Sequence, residues 1–191
     1  MHLQSEKREG GRSMTRISDY GKNDKIRKRI MHYAKGLFET KGIENVTFSD
    51  IAVAADVSRT TVFNHFGSTS GLLVALGKQE VDDVAAYCYE KEKTGEQDVK
   101  NIFTVLVRDF VQYPALMIHI TAAMVMSSVA NNPVKRVEDM ISERVEGDEI
   151  KVMLITGAFY GLLHHYYVNK KDLDADMMIT RMNEMIDVIV K

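Results

Sequence analysis

The segment that most constrains this chain runs from residue 48 to residue 66 and reads FSDIAVAADVSRTTVFNHF. Its apolar residues recur at helical spacing, small ones in the first half and bulkier ones in the second: Ile51, Ala52 and Ala55, then Val62, Phe63 and Phe66. This spacing predicts two short helices, each with one apolar face. The few residues between the two faces leave room only for a tight turn, so the segment is predicted to form a compact helix pair.

Signals for helix ends support that prediction. Thr47 precedes the first helix and Asp50 follows three residues later, a pattern that resembles a capping box. Ser58 precedes the second helix, where its hydroxyl can accept a free backbone N–H. A sharp turn between the helices requires a residue with positive φ, which Asp56 tolerates better than most residues other than glycine. Val57 is then placed to fill the angle between the two helices.

The second helix is predicted to turn an uncharged or basic polar face outward, formed by Arg59, Thr60, Thr61, Asn64 and His65. All five side chains can bond to phosphates or base edges, and none carries negative charge. Such a face is what a helix in the DNA major groove requires. From these residues alone, a helix hairpin that does not read DNA remains an equal alternative.

The order of the residues adds a resemblance. The pattern IA-x-A-A-x-V-S-x-x-T-V-F-x-H-F-x-S, followed by Leu72 and Leu73, closely resembles the DNA-binding domain of the TetR family of bacterial transcriptional regulators. Upstream, AKGLFETKG resembles the end of that family's first helix. The resemblance covers about residues 24–76. It implies an all-α, TetR-like fold with a three-helix helix-turn-helix DNA-binding domain and a C-terminal helical ligand-binding and dimerisation domain.

Domain boundaries follow from this layout. Residues 1–22 are polar with paired glycines and are interpreted as a flexible N-terminal arm, which either follows DNA or is a solvated tail. Residues 23–70 are assigned to the DNA-binding domain, with a first helix from about Asn23 to Lys41. Residues 71–191 are assigned to the effector-binding and dimerisation domain.

The resemblance also implies contacts with DNA beyond the outward face. Lys25, Lys28 and Thr47 are implied contacts with the sugar-phosphate backbone, and Phe63 stands where the family usually has a tyrosine. Thr69 stands where a phosphate-binding lysine is usual, so its hydroxyl is the remaining candidate for that contact. Within the outward face, Arg59 suits guanine and Asn64 suits adenine. The predicted DNA-binding residues are therefore Lys25, Lys28, Thr47, Arg59, Thr60, Thr61, Phe63, Asn64, His65 and Thr69.

Composition sets the outer limits. The chain has 191 residues, 45% of them hydrophobic, with only two prolines, which favours an all-helical protein. Residues 1–73 carry twelve Lys or Arg against eight Asp or Glu, a balance of +4, whereas the remainder carries −6. A basic N-terminal third suits a DNA-binding domain. No apolar run approaches the roughly 20 residues that span a bilayer, and Cys88 is the only cysteine, so cytoplasmic residence is expected.

The last two helices of the sequence, about residues 148–169 and 174–190, carry broad apolar stripes. Such faces bury more than one side of a helix, and four helices from two chains could do so in a dimer interface. In the resembling family the last two helices form that interface; the alternative is burial against the chain's own core. The predicted interface residues are Ile155, Gly157, Phe159, Gly161, Leu162, Tyr166, Met178, Met182, Met185 and Ile189.

Aromatic and methionine side chains gather in the middle helices, with a few polar groups among them. They suit an adaptable pocket for a flat or apolar small molecule, although for each residue singly the pattern favours ordinary core. The resemblance implies a pocket in this region without specifying its walls. The predicted pocket residues are Tyr87, Phe103, Phe110, Tyr113, Met117, Met124, Phe159, Tyr160 and His164.

No motif for catalysis, a metal or a cofactor is present. His164 and His165 are adjacent and diverge by about 100° on a helix, so they cannot bind one metal as an i, i+4 pair would. The sequence therefore predicts a homodimeric, ligand-responsive repressor that binds a palindromic operator in double-stranded DNA, with no enzymatic activity. The alternatives are a small-molecule-binding or stress-sensing protein with a vestigial DNA-binding domain, and a protein–protein adaptor.

Overall fold

The computed structural model of the chain describes residues 10–91, 95–125, 132–169 and 172–191. All regular secondary structure in this part is helical, which confirms the all-α prediction. A 3-10 turn at Ile43–Asn45 follows the first helix. The α-helices are α1 Gly10–Lys41, α2 Phe48–Ala54, α3 Arg59–Phe66, α4 Thr69–Lys91, α5 Glu96–Gln112, α6 Pro114–Val125, α7 Pro133–Arg144, α8 Glu149–Val168 and α9 Ala175–Val190.

The first helix is longer than the sequence predicted. It begins at Gly10 and not near Asn23, so the described part of the predicted N-terminal arm, residues 10–22, is helical; residues 1–9 lie outside the described residues. Residues 10–22 contain no proline. Extending an existing helix by a residue is far less costly than nucleating a new one, so a polar segment without a breaker continues α1.

Two apolar clusters divide the molecule. The first joins α1, α2 and α3, which are called here the head, to the first turns of α4; fully buried Ile30, Phe38, Ile51 and Val62 form its centre. The second lies among the later helices, α4–α9, which are called the body. The α6 helix belongs to both regions, because Leu116, Ile120 and Met124 pack into the cluster of the head, whereas its Met117 packs into that of the body.

The helices α8 and α9 pack against the rest of the body through the apolar stripe that was predicted to form a dimer interface. Six of the ten predicted interface residues are buried within their own chain, which corrects that assignment: Ile155, Phe159, Leu162, Tyr166, Met178 and Met182. The sequence did not reveal this because both helices are apolar over much of their circumference, so the strongest stripe is the one that the chain buries itself.

A second apolar face of α8 and α9 points away from the core. Met153, Leu154 and Val188 are exposed there to 63%, 52% and 76%. Gly157 and Gly161 lie at exposed positions of α8, where a Cβ added to either glycine would have no atom within 4 Å. The remaining predicted interface residues, Met185 and Ile189, are half-buried and border this face. None of the described helices is long and apolar enough to cross a membrane.

Candidate DNA-binding surface and effector cavity

The turn between α2 and α3 has the geometry that the sequence predicted. Thr47 caps α2 through a complete capping box with Asp50: the Thr47 hydroxyl accepts the Asp50 N–H, and the Asp50 carboxylate accepts the Thr47 N–H. Asp56 has a φ of +49°, and Ser58 caps α3 by accepting the Thr61 N–H at 3.0 Å. These contacts fix where α3 starts and therefore where its side chains point.

The polar face of α3 is open to solvent. Arg59, Thr60 and Asn64 are exposed, and Phe63 is 53% exposed beside them. The opposite face, Val62 and Phe66, is buried in the head. Because no acidic side chain lies on α3, its outer face can approach phosphates without repulsion.

The other two predicted α3 contacts are half-buried. The Thr61 hydroxyl lies 2.8 Å from that of Ser58, and the backbone carbonyl of His65 accepts a hydrogen bond from Arg27 at 3.1 Å. Burial, and then the nearby charge of Arg27, lower the pKa of His65 below its ordinary value of 6.5. His65 is therefore neutral at pH 7 and can offer DNA a hydrogen bond but not a charge.

Two arginines of α1 hold the helix pair in place. The Arg27 guanidinium lies 4.7 Å from the centre of the Phe66 ring while it donates to His65. Arg29 donates to the carbonyl of Asp56 at 3.2 Å, in the turn itself. The sequence contains no local signal for these two contacts, because the partners are 38 and 27 residues apart along the chain.

The remaining predicted DNA contacts surround α3. Lys25 and Lys28 are exposed on α1, and Lys28 is 3.2 Å from Asp24, an exposed pair of little energetic weight. The Thr47 hydroxyl lies 2.5 Å from the Asp50 carboxylate, so it is occupied by the cap. Thr69 is half-buried at the first position of α4.

A cavity of about 60 Å³ lies in the body between α4, α5, α6, α7 and α8. Four of the nine predicted pocket residues line it: Phe103, Met117, Phe159 and Tyr160. Its wall is otherwise mostly aliphatic, with the hydroxyls of Thr121 and Thr156 and one carboxyl group, that of Glu80. A site for a drug-sized ligand is on the order of 300–1,000 Å³, so such an effector requires the walls to move.

The other five predicted pocket residues do not line this cavity. Phe110 is fully buried in the core of the body, and His164 is exposed. Tyr113 and Met124 pack with the cluster of the head, and Tyr87 is half-buried away from the cavity. Composition showed which residues could line a pocket, but only the packing of the helices decides which of them do.

Cys88 is the one thiol of the chain and is buried beside Asp98. Burial, and then the charge of the Asp98 carboxylate, raise the pKa of the Cys88 thiol to about 11. The thiol is therefore protonated at neutral pH, a state in which cysteine is a poor nucleophile.

Polar contacts connect the head to the body close to the cavity. The Glu39 carboxylate of α1 accepts the backbone N–H groups of Ala115 and Leu116, at 3.4 and 3.2 Å, and so caps α6. Lys35 of α1 forms an ion pair with Glu80 of α4, which is buried and lines the cavity. A single side chain, Glu80, therefore contacts both the cavity and the head.

The helix pair, its capped turn and its open basic and polar face define the head as a helix-turn-helix DNA-binding domain of a transcription regulator. The family model described as bacterial regulatory proteins, tetR family, matches residues 30–76. The matched segment of the chain is therefore a TetR-family DNA-binding domain. The curated proteins contain no match to the chain.

Solved structures extend the likeness over most of the chain. A transcriptional regulator of the TerR/AcrR family from Aquifex aeolicus VF5 is 19% identical, with a TM-score of 0.60 over 86% of this chain and 99% of that chain. The fatty acid degradation regulator FadR from Bacillus halodurans is 16% identical, with a TM-score of 0.66 over 84% and 93%. Thermus thermophilus FadR, a repressor in complex with lauroyl-CoA, is 19% identical, with a TM-score of 0.58 over 85% and 92%. At these identities the likeness shows the fold.

Proposed function

We propose that the chain is a homodimeric repressor that binds a palindromic operator and is released from it by a small-molecule effector. The observation that carries the proposal is the open face of α3, with exposed Arg59, Thr60 and Asn64 on a helix without acidic side chains. In this proposal Arg59 and Asn64 contact base edges. Lys25, Lys28, Thr61 and His65 contact the sugar-phosphate backbone.

The proposal treats Thr47, Phe63 and Thr69 differently from one another. Thr47 acts through the capping box, which positions α2, because its hydroxyl is already bonded to Asp50. Phe63 packs against the sugar-phosphate edge with its exposed ring. Thr69 offers its hydroxyl at the start of α4, next to the glycine-capped end of α3.

The effector is proposed to bind in the cavity of the body. Release requires that the effector bind more tightly to a conformation in which the heads no longer match the operator. The contacts of Lys35 with Glu80 and of Glu39 with α6 lie between the cavity and the head, so they suit this coupling. The Thermus FadR complex with lauroyl-CoA supports an effector site in a protein of this fold.

The dimer is proposed to form through the outer face of α8 and α9, which consists of Met153, Leu154, Gly157, Gly161 and Val188. Exposed apolar residues and glycines in open space allow close approach of a second copy. Operator palindromes match the two-fold symmetry of a dimer. Leu154→Asp with Val188→Asp is expected to give a monomer by analytical ultracentrifugation, and a persisting dimer would exclude this face.

The DNA-binding proposal is tested by fluorescence anisotropy at fixed, stated salt. One duplex carries the promoter region next to the protein's own gene, and a scrambled duplex of equal length is the control. Arg59→Ala is expected to lose about 1–3 kcal/mol of specific binding. Lys78→Ala, a basic change remote from α3, is the matched control and is expected to leave binding unchanged. Equal, weak binding of the wild type to both duplexes would contradict sequence-specific reading.

The proposed repressor is not an enzyme and acts in the cytoplasm, where it meets DNA. The alternatives of a small-molecule-binding or stress-sensing protein with a vestigial DNA-binding domain, or of an adaptor, predict a different salt dependence. Binding to DNA through phosphates releases counterions, so the affinity of a regulator for its operator falls steeply with salt. A flat salt dependence would favour the alternatives.

A further inference from the structure

The joint between head and body contains more carboxyl groups than cations. Lys35 of α1 pairs with Glu80 of α4, and Asp109 of α5 lies beside the same Glu80, with Asp83 near it. One Asp109 oxygen, Oδ2, is buried and has no hydrogen-bond partner among the described residues. Among the described residues, Lys35 is the only cation that lowers the pKa of Asp109, and one cation cannot neutralise the two carboxylates of Glu80 and Asp109.

A proton bound to the carboxyl pair supplies the positive charge that Lys35 alone cannot provide. Burial, followed by the neighbouring Glu80 carboxylate, raises the pKa of Asp109 to about 8, although Lys35 opposes the rise. The pair of Glu80 and Asp109 therefore holds a proton to a higher pH than a free carboxyl group does. A second cation brought next to Glu80 and Asp109 would lower that pKa again, and the proton would leave to solvent.

The cavity brings a ligand to this cluster. Glu80 is 5% exposed and is the only charged side chain among the described residues that line the cavity. Other parts of the wall include the aromatic rings of Phe103, Phe159 and Tyr160. Aromatic faces attract cations, and the attraction is strongest where water is excluded.

We propose that this cavity binds an organic monocation with an apolar body, whose ammonium group contacts the Glu80 carboxylate. The inference rests on the proposed function, since it names the class of effector for that site. The ammonium competes with Lys35 for Glu80 and so weakens a contact between body and head. Its charge replaces the proton of Asp109, so one cation binds as one proton is released and the net charge of the cluster is unchanged.

The size of the cavity limits the first probe. At about 60 Å³ it accommodates the end of a short chain, and Met117 in its wall can change rotamer to admit more. The probes are hexylammonium, its neutral analogue 1-hexanol and the anion hexanoate. Each is titrated into the full-length protein without DNA by isothermal calorimetry at pH 7, in two buffers of different ionisation enthalpy that report proton release.

Hexylammonium is expected to bind at least tenfold more tightly than 1-hexanol, with hexanoate weakest, and to release close to one proton. Glu80→Gln should abolish the preference for the amine over the alcohol. Lys35→Gln should tighten amine binding, because the competing cation is gone. Asp109→Asn should keep the amine bound but remove the proton release. Glu138→Gln is the matched control, since Glu138 is near Tyr160 but does not line the cavity.

Equal affinity of the wild type for amine and alcohol, or tightest binding of hexanoate, would overturn the inference. So would a Glu138→Gln effect larger than that of Glu80→Gln. If Glu80→Gln does not fold by circular dichroism, the three wild-type affinities and the proton count of Asp109→Asn still decide. Because these titrations contain no DNA, their failure is distinct from a failure of operator binding in the anisotropy assay.

Discussion

The head and the body use their apolar residues in opposite ways. In the head, α2 and α3 each have one apolar face and bury it, and their polar residues lie outside. In the body, α8 has apolar residues on both its inner and its outer face. The comparison shows that one apolar stripe on a short helix determines which face is buried, whereas apolar residues on both faces leave that choice to the packing of the other helices.

The largest expected effect is the difference in free energy of unfolding between a substitution on the inner face of α9 and one on its outer face. Met182→Ala should lower the free energy of unfolding by about 2–5 kcal/mol, because Met182 is fully buried and its loss leaves a cavity. Met177→Ala, the same change at a 45% exposed position of α9, should stay within about 0.5 kcal/mol. Urea unfolding at one fixed protomer concentration measures both. Equal losses would mean that the two faces do not differ.

A glycine exchange tests how tightly the head joins the body. A Cβ at Gly71 would lie 2.1 Å from the carbonyl oxygen of Phe66, so Gly71→Ala should cost about 1–3 kcal/mol and displace α4 from α3. Gly36→Ala, inside α1 with nothing within 4 Å, should instead stabilise by about 0.5–1 kcal/mol. Thermal unfolding of the two variants should therefore shift in opposite directions, and a shared direction would contradict the packing of this joint.

The half-buried carboxyl of Asp109 predicts a pH dependence of stability that is opposite in sign to that of His65 in the head, whose pKa is lowered. Its pKa is raised, so the folded chain binds more protons than the unfolded chain between about pH 4 and pH 8. Stability relative to Asp109→Asn is therefore fully present below pH 4 and falls as the pH rises through 8, by at most about 1.4 kcal/mol per pH unit. Urea midpoints of both proteins from pH 5 to pH 8 measure the slope; parallel curves would refute it.

The smallest effect concerns the turn of the head. Asp56 has a φ of +49°, a conformation that costs an L residue roughly 1 kcal/mol and glycine nothing. Asp56→Gly should therefore stabilise by up to about 1 kcal/mol, while the Asp56 carbonyl still accepts the Arg29 hydrogen bond. Asp56→Ala keeps the strain and is the control. Destabilisation by glycine would show that the aspartate side chain has a role in the turn.

Most of the head could be predicted from the sequence because its signals are local. The capping box of Thr47 and Asp50, the positive φ of Asp56 and the cap at Ser58 each depend on residues within a few positions. The long-range contacts, such as those of Arg27 with His65 and of Lys35 with Glu80, could not be predicted from the sequence. No spacing rule connects residues that are 38 or 45 positions apart.

The body could be predicted only in outline. The approximate ends of its last two helices followed from periodicity, and its two prolines, Pro114 and Pro133, stand at the first positions of α6 and α7. Which face of α8 is buried, and which aromatic residues surround the cavity, depend on the positions of the other helices. Met178 and Met182 were therefore predicted at a surface and lie in the core. The N-terminal end of α1 was not predicted, because residues 10–22 contain neither a helix-breaking proline nor an apolar stripe that indicates a helix.

The carboxylate of Glu39 has a consequence for anyone who builds chimeric regulators from this chain. The acid sits in the first domain, yet it completes the end of a helix in the second by accepting the N–H groups of Ala115 and Leu116. If a body from another regulator is joined after residue 70, the Glu39 carboxylate has no partner unless the new body places the start of a helix beside it. The original body, once separated from its head, has no carboxylate to cap α6. A domain exchange in this protein therefore also separates Glu39 from the helix that it caps. We expect a chimera to be stable when its DNA-binding domain supplies the carboxylate and its body supplies a helix start that this carboxylate can cap.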